Sequence, residues 1–186
     1  MFTRMDEGTA EEWQLIKRTA AASRADGFVG DRVLGLLRSL ADVNNGFAVD
    51  QLAHCLQTAT RAEQAGASDE VVIASLCHDV GKAISGPNHP AIAAELLYSY
   101  VSEETYRMIL NHQDFQGLHF YEHYGADPRA RDAHVNEPWF ALAARFADEW
   151  DQCSFDPAYP THPLEHFEAR LRALFLQPTR RRWSTR

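Results

Sequence analysis

Apolar side chains recur along this chain three and four positions apart, the spacing of helices buried on one face, and no alternating run is long enough to require a strand. Thr9-Ala10-Glu11-Glu12 has the spacing of a capping box and opens a first helix that runs to about residue 22. Residues 27–30, bounded by two glycines, predict a break. Val33, Leu34, Leu36, Leu37 and Leu40 then form the apolar stripe of a second helix, which stops before the turn signal Asn44-Asn45-Gly46. Asp50 is placed to cap a third helix that faces Leu52, Leu56 and Ala59 inward and ends at Gly66. Ser68 begins a fourth, in which Val71 to Cys77 is so uniformly apolar that it should be the central buried element.

Beyond that run, Ser85-Gly86-Pro87-Asn88-His89 reads as a loop, with Pro90 suited to the first position of the next helix. Ser102 caps a further helix, carrying Tyr106, Ile109 and Leu110 inward and His112 at its end. Residues 113–124 are rich in aromatics and histidine, and residues 125–137 are polar, with a short helix expected around Arg129. Two amphipathic helices, over 139–150 and 163–176, complete the chain. The pattern predicts an all-α fold: one compact helical bundle over residues 1–186.

At 186 residues the chain is long enough to bury a core without cross-links, and 45% hydrophobic with 24% charged residues is ordinary globular composition. A formal net charge of −8 disfavours nucleic acid. The basic tail Arg180-Arg181-Arg182 with Arg186 is expected to be a solvated terminus. Cys55, Cys77 and Cys153 are odd in number and lack CxxC spacing, which fits buried thiols in a reducing compartment. Neither a signal-peptide core nor a membrane-length apolar run is present, so a cytoplasmic location off the membrane is expected.

The chemistry concentrates at Leu76-Cys77-His78-Asp79-Val80-Gly81-Lys82. Neighbouring residues on a helix point about 100° apart, but at a helix end a histidine and an aspartate can converge on one metal or on two adjacent ones. His54 upstream, His89 and His112 downstream, and Asp151 near the end of an amphipathic run all fall at or near helix ends, as a site assembled between helices requires. His54, His78, Asp79 and Asp151 would complete one mononuclear site. His89 and His112 add what a second ion needs, with Asp79 as bridge. Imidazole and carboxylate donors suit iron, manganese, nickel or zinc. Asp148, one turn before Asp151, is a rival for the last position. Lys82 has three readings: a substrate-binding catalytic residue, an ion-pair partner of Asp79 or Asp151, or a solvated cation. His119, His123, His134, His162 and His166 are expected at the surface or outside the ligand set, and Phe115, Phe120, Tyr121 and Tyr124 as core or pocket wall, with an aromatic cage for a quaternary ammonium as the alternative.

The order His54…His78-Asp79…Asp151 resembles the HD-domain superfamily, whose members are mostly metal-dependent phosphohydrolases, and His89 with His112 resembles its dinuclear branch. Chain length, the run Gln51-Leu52-Ala53-His54, Trp150-Asp151 and Pro163-Leu164-Glu165-His166-Phe167 are similar to the mixed-valent diiron oxygenases, represented by myo-inositol oxygenase and 2-amino-1-hydroxyethylphosphonate oxygenase. The Trp-Asp match favours Asp151 over Asp148. The resemblance covers about residues 46–175 and implies a metal-binding core there, with the helices of 8–41 packed on it, a metal site between helices and two iron ions, one Fe(II) and one Fe(III). It also implies dioxygen and a small hydroxylated substrate, a polyol or hydroxyphosphonate, as reactants. Lys82 stands where the inositol enzyme contacts substrate. The chain departs from the phosphonate enzyme at the substrate positions: Asn44 and Phe47 replace a gating tyrosine and glutamate, and Gln116 and Asp148 stand where it has cations. The alternative within the superfamily is hydrolysis of a nucleotide or other phosphate ester at manganese, nickel or zinc, with Lys82 facing developing charge and Arg107 and Arg145 as further cations. A metal-stabilised binding module is the third reading.

Overall fold

The computed structural model describes residues 1–25, 27–176 and 178–180. Among these residues eight α-helices account for the fold: α1 (Ala10–Ala25), α2 (Phe28–Ser39), α3 (Gln51–Gln64), α4 (Asp69–Cys77), α5 (His89–Leu97), α6 (Glu103–Gln116), α7 (Phe140–Arg145) and α8 (Leu164–Leu176). Short single-turn helices fill the connections, and no strand occurs among the described residues. The starts follow the side chains that cap them. Asp50 accepts from the Ala53 amide at 2.8 Å, Ser68 from Val71 and Ser102 from Thr105, each satisfying an amide that an unbroken helix would leave without an acceptor. Thr9 and Glu12 exchange bonds reciprocally at the start of α1, at 3.0 and 3.3 Å.

α4 is the axis. Every residue from Val71 to Cys77 is buried, and α3, α6 and α8 pack around it. Val72, Ile73 and Leu76 alone, each at 1% exposure or less, contribute about 1.5–3 kcal/mol apiece by leaving water. Helix α2 lays Val33, Leu34 and Leu37 against this core and crosses α8 closely, because Gly30 has no side chain: a Cβ there would sit 3.3 Å from the Arg172 Cα. The break expected over 27–30 is therefore narrower. Gly27 alone takes the left-handed conformation, at φ 72°, and the helix begins at Phe28. Helix α1 packs on α2 and leaves Trp13, Leu15 and Ile16 partly exposed.

The stretch expected as one helix over 139–150 divides in two. Regular α-helix ends at Arg145, and Phe146–Asp151 continues as a π-helix. The segment after it, 152–163, is anchored to α3 by side chains. Gln57 donates to the Asp156 carbonyl at 2.8 Å, Arg61 to the Cys153 carbonyl at 3.0 Å, and Tyr159 to Gln64 at 2.8 Å. Near Arg129 the only helix is the single turn Ala130–His134. Cys55 and Cys77 are buried free thiols, and Cys153 is partly exposed. Arg180 is not solvated: it lies over the Tyr98 ring at 4.1 Å and reaches Glu103. The rest of the basic tail, Arg181, Arg182 and Arg186, lies outside the described residues. Among the described residues no helix is long and apolar enough to cross a membrane.

Candidate metal centre

His54 comes from the first turn of α3, His78 closes α4, Asp79 follows it, His89 opens α5, His112 lies near the end of α6 and Asp151 ends the π-helix. All six are buried, none more than 6% exposed, and they meet at Asp79. Its Oδ2 lies 3.4 Å from Nε2 of both His54 and His78, and its Oδ1 lies 3.1 Å from Nε2 of His89 and 3.6 Å from that of His112. Asp151 joins the first pair, with Oδ1 3.1 Å from His54 and 3.5 Å from His78. One carboxylate thus faces two imidazole pairs with opposite oxygens. His54, His78 and Asp151 place one donor atom each within 4.8 Å of one another, as do His78, Asp79 and His112.

The imidazoles are fixed from behind. His54 Nδ1 donates to the Ser154 carbonyl at 3.0 Å, His78 to Ser75 at 2.7 Å, His89 to Gly86 at 2.6 Å and His112 to Ile109 at 2.7 Å. A carbonyl only accepts, so each Nδ1 carries the proton, and in a neutral ring Nε2 is left as a bare lone pair. Those lone pairs confront each other at 3.1 Å between His54 and His78 and at 3.2 Å between His89 and His112. Oδ1 of Asp79 and both oxygens of Asp151 are buried without a hydrogen-bond donor. Buried acceptors facing one another without a donor are costly, and cations between them would satisfy all at once. The donor set fits metal ions, and the backbone carbonyls behind the rings supply the outer contacts that orient ligating histidines.

Protons take part of that role when no cation does. Burial opposes charge on His78, but Asp79 and Asp151 outweigh it and hold its pKa well above the ordinary histidine value. His54 is raised in the same way by Asp151 and Asp79. Burial and the nearby His78 leave His112 lowered, despite Asp79. Asp79 and Asp151 are lowered, because the imidazoles overcome the cost of burying a carboxylate.

Gly81 makes the two halves meet. A Cβ there would lie 2.3 Å from the His89 carbonyl oxygen and 2.6 Å from its Cα, so only glycine lets the turn Val80–Ala83 press onto the start of α5. His89 itself is the first residue of that helix, placing Pro90 at its second position. Helix α6 continues to Gln116, so His112 stands one turn short of the end expected for it.

Asp148 is no part of the cluster. It is about one-third exposed and is held by His119 at 2.9 Å and by two bonds from Arg131 at 2.9 and 3.0 Å. On an α-helix residues three apart lie about 60° from each other. The wider π turn opens that angle, sending Asp151 inward and Asp148 out. Lys82 is the ion-pair partner of Asp79, at 2.5 Å from Oδ2, and also donates to Gln51 Oε1 at 2.8 Å. Gln51 is fully buried, and its Nε2 has no acceptor. Two contacts lay beyond the sequence reading: Gln51 on Lys82, and Phe155, which stacks on the His54 ring at 4.2 Å and on Phe47 at 4.2 Å. The only sequence signal for either was proximity to His54 and Asp151.

A cavity of about 410 Å³ opens beside the cluster, reaching Lys82 and His89 and walled by Phe47, Phe120, Phe155 and Gln116. Phe47 and Gln116 thus do lie at a substrate-sized space, whereas Asn44 borders a different cavity. Arg107 pairs with Glu103, and Arg145 with Glu149 and the Ala65 carbonyl; neither lines the space beside Lys82.

A search of curated proteins finds no match to the chain. The family description "HD domain" matches residues 52–156, from the helix that carries His54 to just past Asp151, which is more than half of the chain. With an all-helical fold and a buried histidine–aspartate cluster at its centre, the chain belongs to the HD-domain family, as a metal-dependent enzyme.

Proposed function

We propose that the six buried side chains hold two iron ions and that the protein is a non-haem diiron oxygenase that oxidatively cleaves a small hydroxylated substrate, such as a polyol or hydroxyphosphonate. The observation that carries the two-ion reading is Asp79, which turns one oxygen to His54 and His78 and the other to His89 and His112. Six protein donors shared between two ions leave positions open for reactants. Such ions supply Lewis acidity toward a substrate hydroxyl and electrons for dioxygen.

The chain's own residues do the rest. The four carbonyl contacts hold the imidazoles in the ligating tautomer. Lys82 commits two N–H groups to Asp79 and Gln51, leaving its third for a substrate oxygen. Phe47 and Phe155, stacked across the cavity wall, shield His54 from water. The lining favours a small hydroxylated molecule over a phosphate ester, because Lys82 is the one lysine or arginine among the described residues lining the cavity and its charge is matched to Asp79.

The phosphohydrolase reading retains one specific support: the same donors accept manganese, nickel or zinc, and Lys82 stands beside them. Metal analysis and oxygen uptake separate the two. Protein grown with iron should hold two irons, give a mixed-valent EPR signal that shifts on adding a hydroxylated substrate, and consume oxygen. Protein that holds only manganese, nickel or zinc and releases phosphate from generic esters would overturn the oxygenase in favour of the hydrolase.

A further inference from the structure

A second group of metal-type donors lies on the surface between α3 and the start of α8. Glu63 Oε2 is 2.9 Å from His166 Nε2 and 3.5 Å from His162 Nε2, and one donor atom from each of the three residues lies within 4.8 Å of the others. The two imidazoles stack at 4.1 Å, 18° from parallel. We infer that Glu63, His162 and His166 form a separate, solvent-accessible site for a borderline divalent cation such as zinc, which fastens the end of segment 152–163 to α3.

Glu63 has a counter-charge in Arg170, whose guanidinium lies 2.5 Å from its other oxygen, Oε1, and also pairs with Asp69 at 3.1 Å. That grip turns Oε2 toward the imidazoles, and a ligating carboxylate is commonly held this way from behind. The lone pairs of parallel rings do not converge, so the two imidazoles, each about two-fifths exposed, would turn out of their stack to share an ion. Spacing favours a metal. Bonds of about 2.0–2.1 Å in tetrahedral geometry put neighbouring donors roughly 3.3 Å apart, between the two distances observed. Two imidazoles and one carboxylate are a zinc-type donor set, and a water would complete it. The His162 and His166 side chains are about two-fifths exposed, so an ion could come and go without opening the fold.

Position gives the site its consequence. The His162 amide donates to Thr60 Oγ1 at 3.1 Å, so the donors sit where segment 152–163 returns to α3. That same segment supplies the Ser154 carbonyl behind His54 and the Phe155 ring stacked on it. An ion at Glu63, His162 and His166 would therefore hold the far end of the segment that seats one side of the buried centre. The inference is independent of which metal or reaction that centre uses.

The test uses full-length, tag-free protein with its buried centre already loaded, titrated with zinc against a chromophoric chelator. Wild type should take up one more equivalent of zinc than a His162→Ala/His166→Ala double variant. Glu63→Gln should weaken that equivalent by roughly tenfold or more. Zinc should also raise Tm in wild type and not in the double variant, whose zinc-free Tm checks that the surface changes leave the fold intact. Equal uptake by both proteins, or no extra equivalent in wild type, would overturn the site.

Discussion

Asp79→Ala is the most informative perturbation, because a single side chain is asked to serve both ions. Its Oδ2 faces His54 and His78, its Oδ1 faces His89 and His112, and Lys82 leans on Oδ2 at 2.5 Å. At that distance the attraction between unit charges is about 7 kcal/mol for an effective dielectric of 20. Asp79 is 1% exposed and the Lys82 side chain 15%, so desolvation offsets much of this. Breaking one side of a buried pair costs about 3–5 kcal/mol net. For a domain of this size that is a fall in Tm on the order of 10 °C in metal-free protein. In metal-loaded protein the expected change is loss of both ions. Asp79→Asn, of nearly equal volume, separates charge from packing: it should share the metal loss while leaving less of a void. Lys82→Met is the control for the ion pair, since it removes the lysine contact and keeps every proposed ligand. Metal content by mass spectrometry and Tm by calorimetry read the two effects separately. If Asp79→Ala retains two ions, or if Lys82→Met loses them as completely as Asp79→Ala does, the bridging role is wrong.

Asp148→Asn should keep both ions, because its carboxylate serves Arg131 and His119 at the surface side of the π segment; loss of an ion in this variant would reopen its claim to the last ligand position. Gly81→Ala forces a Cβ into the His89 backbone, and with overpacking costing about 1–3 kcal/mol it should lower Tm and displace His89, dropping the metal content; an unchanged metal count and Tm would contradict the close contact. The pH dependence has a worked sign. The raised His54 and His78 stabilise metal-free protein fully below their unfolded value of about 6.5, and that contribution fades as pH climbs through their folded values. The lowered Asp79 and Asp151 contribute above about 3.8 and lose that contribution as pH falls through their folded values. Metal-free Tm should therefore decline from pH 6.5 upward while the gain from bound metal grows, since ions displace protons from Nε2. Melting curves with and without metal that stay parallel from pH 6 to 9 would refute this.

Much of this molecule was legible before any coordinates. The uniform apolar run over residues 71–77 marked the buried helix, and Asp50, Ser68 and Ser102 marked starts, because capping is a local interaction between residues three apart. The six side chains that gather around Asp79 could be picked out by residue type, by their place near helix ends and by the family resemblance. What did not show was anything set by long-range packing. The π segment is invisible in a hydrophobic pattern written with a period of 3.6, so periodicity leaves Asp148 a rival and only the Trp150-Asp151 resemblance favours Asp151. The close approach of α2 to α8 depends on Gly30 meeting Arg172, over 140 positions away. Gln51 and Phe155 touch Lys82 and His54 across the fold, and their nearness in sequence to His54 and Asp151 does not reveal those contacts. Arg107 and Arg145 were candidate phosphate cations only until their directions were known.

The widened helical turn before Asp151 acts as one extra residue inserted into an otherwise regular rod. Winding Phe146–Asp151 at ordinary α pitch, with no residue removed, would swing everything beyond it by about 100°. The carboxylate that closes the His54–His78 corner would then face outward, Ser154 would lose its alignment with the His54 ring, and the segment leading to His162 would set off in another direction. A chain that wound these same residues as regular α-helix could keep its core and still have no place for the first ion.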